Sequence, residues 1–175
     1  KHKNVFQIIK SVYEVVTIKE KLKTLNIASI GHAPQGFGFG SALDSEVAKA
    51  FGSTLHFIEV REMMDKAKNL KDGDYEEAKS ESESKMKGLE RLPQKNVTDY
   101  YKLYQAYKEY IKSNDIKAIA SRCWPEYFTE YGTPVCGVLG MLNDNLIAAA
   151  CEADLYGAIT MYIGIEFSQN PVFFW

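Results

Sequence analysis

The sequence predicts an α/β protein, a three-layer sandwich around a mostly parallel central sheet of the Rossmann or flavodoxin-like kind. Three observations lead there. Short apolar runs at 26–31, 54–60, 118–124, 146–152 and 171–175 are separated by segments of helical periodicity. The runs are close to continuously apolar, as in strands covered on both faces, and do not alternate as half-solvated strands do. The chain has 175 residues, 46% apolar and 25% charged, which is enough for one domain with its own core.

The elements follow in order. Val5, Ile8, Ile9, Val12, Val15, Val16 and Leu22 recur at helical spacing and predict a helix over 4–22. NIASIG (26–31) reads as a buried strand, and HAPQGFGFG (32–40) as the loop that leaves it. Ser41 or Asp44 can cap a helix running to about Phe51, with Gly52 as its stop. TLHFIEV (54–60) is the second strand and 61–69 a short helix. Residues 72–92 are polar and mixed in charge, which predicts an exposed helix or arm outside the core. From Thr98 or Asp99 a strong helix begins, with Tyr100, Tyr101, Tyr104, Tyr107 and Ile111 as its core-facing stripe. AIASRCW (118–124) is the third strand, and Pro125 suits the first position of a helix after it. A further helix covers 134–142, LIAAACE (146–152) is the fourth strand, 153–168 a helix, and PVFFW begins a fifth strand.

Composition excludes several function classes. A net charge of -2 supplies no basic field for nucleic acid or an anionic membrane. No apolar run reaches the roughly 18 residues a membrane helix needs, and KHKNVFQIIK has no hydrophobic secretory core behind its charges. A cytoplasmic protein with no nucleic-acid or membrane partner is expected. The cysteines, Cys123, Cys136 and Cys151, are odd in number and read as free thiols.

In such folds functional residues collect beyond the carboxyl ends of the strands. The loop after the first strand carries Gly36, Gly38 and Gly40, where a phosphate cradle would sit, and His32. Its spacing is not G-x-G-x-x-G and no Walker lysine follows, so a nucleotide or FMN site is a third-ranked reading. Cys123 and Cys151 each end a strand, but no histidine follows either one to serve as a base. The acids are more informative. Residues 118–175 hold six acids against one base, Arg122. Glu130 follows the third strand, and Glu152 and Asp154 directly follow the fourth. If those strands are neighbours, the carboxylates meet at one edge of the sheet, where oxygen donors suit Mg²⁺ or Mn²⁺. Glu152 and Asp154 share a side only if the strand continues through 154.

CWPEYFTEYGTPVCGVLGMLNDN, then ACEADLYGAITMYI and NPVFF, resemble the L-fucose isomerase family and its L-arabinose isomerase-like relatives. IGHAPQGFGFG and FGSTLHFIEV resemble the preceding part of that family's middle domain. The resemblance implies that 1–175 is a single α/β domain, the middle piece of a longer chain whose flanking domains lie outside it. It implies a metal-dependent aldose–ketose isomerase acting on a free sugar by proton transfer through an enediolate. The metal would be Mn²⁺ or another divalent ion. Glu130 and Asp154 would be both metal ligands and acid/base groups, with Glu152 as the alternative second ligand. Trp124 and Arg122 would lie near the sugar, and a histidine ligand would come from a following domain. The chain alone is therefore expected to be inactive, and the full-length parent to form a homo-oligomer. The runner-up is a non-catalytic sugar-binding or regulatory module of the same fold.

Overall fold

A computed structural model describes residues 2–173, with side chains from Asn4 onward. Its central layer comprises β1 (Asn26–Ile30), β2 (Thr54–Ile58), β3 (Ile116–Ser121) and β4 (Ala148–Ala150). All neighbours run parallel, in the order β2-β1-β3-β4. The chain winds from β1 to β2 on one side and continues through β3 and β4 on the other. The loops that leave β1 and β3 therefore flank the point where winding reverses, the usual place for a ligand crevice in an open parallel sheet. The expected α/β sandwich is present.

Helices cover both faces. On one lie α1 (His2–Leu22), α2 (Asp44–Phe51) and α7 (Leu155–Ser168). They pack on Ile27, Ala118, Ala120, Ala148 and Ala150. Four of those five sheet residues are alanine, so Leu155, Ala158, Ile159 and Tyr162 of α7 sit close to the strands without a gap. On the other face α3 (Val60–Asn69), α4 (Glu76–Lys85), α5 (Gln94–Ser113) and α6 (Cys136–Asp144) enclose Ala28, Ile30 and Ile119. β4 is an edge strand, and Asn143 seals its outer side. The Asn143 amide donates to the Ala149 carbonyl at 2.9 Å, and its carbonyl accepts the Ala149 N–H at 2.9 Å.

Several expectations need correction. Residues 72–92 are not an arm outside the core: Ala78 and Ser82 of α4 are fully buried. Ser82 Oγ donates to the Ala78 carbonyl and pairs with the Tyr100 hydroxyl of α5 at 3.1 Å. Two small residues four apart let the helices approach, a contact that hydrophobic periodicity does not register. α5 begins at Gln94, after Pro93 and before the expected Thr98 or Asp99. β2 is a half-solvated edge, with Phe57 46% exposed, so continuous burial fails there, and β3 exposes Lys117. Of PVFFW, residues 171–173 form no strand, and 174 and 175 lie outside the described residues. The stripe on α1 is helical as expected, yet only Ile18 and Leu22 are buried; Val5, Ile8, Ile9, Val12, Val15 and Val16 stay 52–62% exposed. No helix among the described residues is long and apolar enough to cross a membrane.

Candidate functional site

Three connections meet at the carboxyl rim of the sheet. The first leaves β1 through Gly31, whose φ is +72°. A Cβ there would fall 2.5 Å from Val60 Cγ2, so only glycine fits. The loop then turns through Gly38–Gly40 and lies on the start of α7, where a Cβ on Gly40 would meet Asp154 Cα at 2.9 Å. Gly40 thus serves close backbone approach to Asp154, while Gly31 makes room for Val60 and Arg122.

The second connection follows β4. Glu152 and Ala153 both take left-handed backbone, φ +58° and +53°, which ends the strand early and reverses the chain before α7. The alternation that would have aimed 152 and 154 to one side is broken. Asp154 becomes the N-cap of α7, its Oδ1 accepting the Gly157 N–H at 2.9 Å. Glu152 turns toward sulfur. Its Oε1 accepts from Cys123 Sγ at 3.2 Å and faces Cys151 Sγ at 3.8 Å, while Oε2 is buried without a hydrogen-bond partner. The Cys123 and Cys136 thiols and burial push the Cys151 thiol up, while the Cys136 thiol is drawn below its ordinary range by Cys151. Phe37, Phe39, Cys136, Leu139, Cys151, Glu152 and Asp154 line a cavity of about 530 Å³.

The third connection follows β3. Ser121 Oγ pairs with the Tyr107 hydroxyl at 2.7 Å, and Tyr107 with Tyr127 at 2.8 Å, three buried hydroxyls that fix the end of the strand. Burial pushes the Tyr107 and Tyr127 hydroxyls up, so both stay neutral donors. Pro125 does not open an ordinary α-helix as expected. Its carbonyl accepts from both Phe128 and Thr129, and Tyr127–Tyr131 forms a π-helical turn that Gly132 closes at φ +82°. Glu130 sits on that turn. Arg61 of α3 grips it from two nitrogens, Nε to Oε2 at 2.8 Å and Nη2 to Oε1. The grip holds the Glu130 carboxyl below its usual range. Arg122 Nε donates to the Trp124 carbonyl at 3.0 Å and lies 2.9 Å from Glu126 Oε2, an ionic contact. Trp124 is 40% exposed.

The adjacency of the third and fourth strands that the acid pair requires is present: Ala118 pairs with Ala148 and Ala120 with Ala150. Glu152 and Asp154 line one cavity; Glu130, Arg122 and Trp124 are not in its wall. Glu130 and Asp154 share no hydrogen-bond partner among the described residues. Sequence reasoning missed Arg61 and the convergence of the cysteines on Glu152. The adjacency of Cys151 and Glu152, with Cys123 at the end of the neighbouring strand, was the available signal.

No family model matches the chain. A sulfoquinovose isomerase of Clostridium sp. (strain MSTE9) is 53% identical over 157 residues, which is 90% of this chain and 35% of that protein. Sulfoquinovose isomerases of Priestia aryabhattai and Alkalicoccus urumqiensis are 30% and 29% identical over 85% and 87% of this chain. The chain spans about a third of the length of these relatives. The relatives carry the name of a sugar isomerase, in keeping with that part of the expectation, though not the name of L-fucose isomerase.

Proposed function

We propose that this chain is part of a metal-dependent aldose–ketose isomerase, and that its substrate is a sulfonated free sugar in place of the L-fucose- or L-arabinose-like one expected from motifs. One observation carries the reading: 53% identity to a sulfoquinovose isomerase across 90% of the chain, a stretch that includes the acids at the rim.

Glu130 and Asp154 are proposed to hold the cation, with Glu152 as the alternative to Asp154. Hard oxygen donors suit Mn²⁺. Asp154 fits because its cap uses one oxygen and leaves Oδ2 for another partner. Glu130 fits once Arg61 lets go, an exchange favoured by the solvent exposure of that ion pair, which keeps it weak. When bound, the ion would polarise the substrate oxygens and offset negative charge that develops on them. One of the two carboxylates takes the proton from C2 and delivers it to C1, while the O2 hydroxyl proton passes to O1. Trp124 offers a half-exposed ring for the apolar face of a sugar, and Arg122 braces the segment that presents it through the Trp124 carbonyl. The remaining ligand is proposed to come from the rest of the parent chain, without which turnover is absent.

The test is isomerisation of sulfoquinovose by the full-length parent, stripped with a chelator and then supplied with Mn²⁺. Turnover that disappears and returns supports the reading. Activity indifferent to the metal, or none on any free aldose, overturns it in favour of a sugar-binding or regulatory module.

A further inference from the structure

Cys123, Cys151 and Glu152 come from the ends of two neighbouring strands, and their ligand atoms all lie within 4.8 Å of one another. This arrangement does not depend on the proposed reaction. A hard-cation site has no use for sulfur, and neither thiol has a histidine among its hydrogen-bond partners to make it a nucleophile.

The spacing matches a small tetrahedral ion. With Zn–S near 2.3 Å and Zn–O near 2.1 Å, neighbouring donors stand roughly 3.6–3.8 Å apart. The observed sulfur-to-oxygen separations of 3.2 and 3.8 Å bracket that value. A second, independent feature points the same way. Glu152 Oε2 is buried without a partner, and no Lys, Arg or His among the described residues hydrogen-bonds or ion-pairs with Glu152. A half-buried carboxylate with one oxygen shut away from water and only thiols beside it is poorly compensated for its charge. Cys136 is exposed and lines the same cavity as Cys151 and Glu152, through which an ion would enter.

We infer that Cys123, Cys151 and Glu152 form a binding site for a soft divalent cation of the Zn²⁺ type, separate from the oxygen-donor site proposed for Mn²⁺. Binding replaces the hydrogens of the coordinating thiols with the metal and releases them to solvent as protons. Glu152, so engaged, is no longer available as the alternative Mn²⁺ ligand.

The test uses the reduced chain titrated with Co²⁺ in the presence of excess Mg²⁺, which occupies oxygen sites. The expected result is one equivalent of Co²⁺ giving a near-ultraviolet thiolate-to-cobalt absorption band, with proton release, and loss of the band on addition of Zn²⁺. Oxygen ligands give no such band, so failure of the isomerase reading would leave this result untouched. Cys151→Ser and Glu152→Gln should each weaken Co²⁺ binding by roughly 100-fold, the upper end of what losing even a supporting partner costs. Circular dichroism would confirm their fold; Cys123→Ser is the substitute should Cys151→Ser unfold. Absence of the band in the reduced chain, or a band of unchanged affinity in folded variants, overturns the inference.

Discussion

Glu130 and Glu152 hold corresponding places, each a glutamate just beyond the carboxyl end of one of two paired strands, yet the fold treats them differently. Glu130 rides on a π-helical turn, 38% exposed, with Arg61 across from it. Glu152 is folded inward by left-handed backbone, has no cationic partner among the described residues, and shares one oxygen with thiols while the other is buried without a hydrogen bond among them. The strand register decides that an acid reaches the rim. What the acid can then do depends on residues far away in sequence, Arg61 in one case and Cys123 in the other. An exposed ion pair exchanges partners at little cost, whereas a half-buried carboxylate with one oxygen shut away unpaired favours gaining a cation.

The largest effect that could break this comparison is on turnover. In the full-length parent, Glu130→Gln and Asp154→Asn should each lower kcat by roughly 10²–10⁴-fold, the range for loss of a proton-transfer group. Asparagine still caps α7, so the melting temperature of Asp154→Asn should stay near that of the parent. Near-normal turnover in Glu130→Gln would mean that pairing with Arg61 is the whole role of Glu130.

Next is Tyr107→Phe, which removes the hydroxyl joining Ser121 to Tyr127 beneath the Glu130 turn. Leaving the buried Tyr127 hydroxyl without its partner, and Ser121 with the Arg122 carbonyl alone, should cost about 1–3 kcal/mol in urea unfolding. An unchanged midpoint would show that the turn holds without the network.

A smaller effect concerns pH. Burial raises the Glu81 carboxyl, but hydrogen bonds from Lys108 and Asn145 outweigh burial and hold it down to about 2. Its folded-state pKa therefore lies below the unfolded value near 4.3, so its contribution is complete above that value and is lost as pH falls toward 2. The wild type should lose more stability than Glu81→Gln between about pH 5 and pH 2, measured by thermal melting at each pH. Parallel curves would contradict this. Smallest is Arg61→Gln, which should raise the Glu130 pKa toward its ordinary value, read by carboxyl ¹³C titration; no movement would show that Arg61 does not engage Glu130 in solution.

Much of the fold was legible because its cause is local. NIASI and AIAS are built mostly of Ile and Ala, and Gly52 stops α2 at φ +81° as its place suggested. The partner of a helix face was less legible. Tyr104 and Tyr107 on α5 and Val12 and Val16 on α1 all recur at helical spacing, but the tyrosines are fully buried and the valines more than half exposed. Ala78 and Ser82 carried no apolar signal and are buried nonetheless. At the site, the E-x-D pattern located the acids, but the left-handed turn at 152 and 153 that separates their roles was not written in residues that ordinarily favour it.

The central claim is that residues 130 and 154 serve one hard cation. Anomalous scattering at the manganese edge, from crystals of the Mn²⁺-loaded parent, tests it most directly. A peak within coordination distance of both carboxylates, with Arg61 moved off Glu130, is the predicted result. A peak on Asp154 and Glu152 with the Arg61–Glu130 pair intact would contradict it.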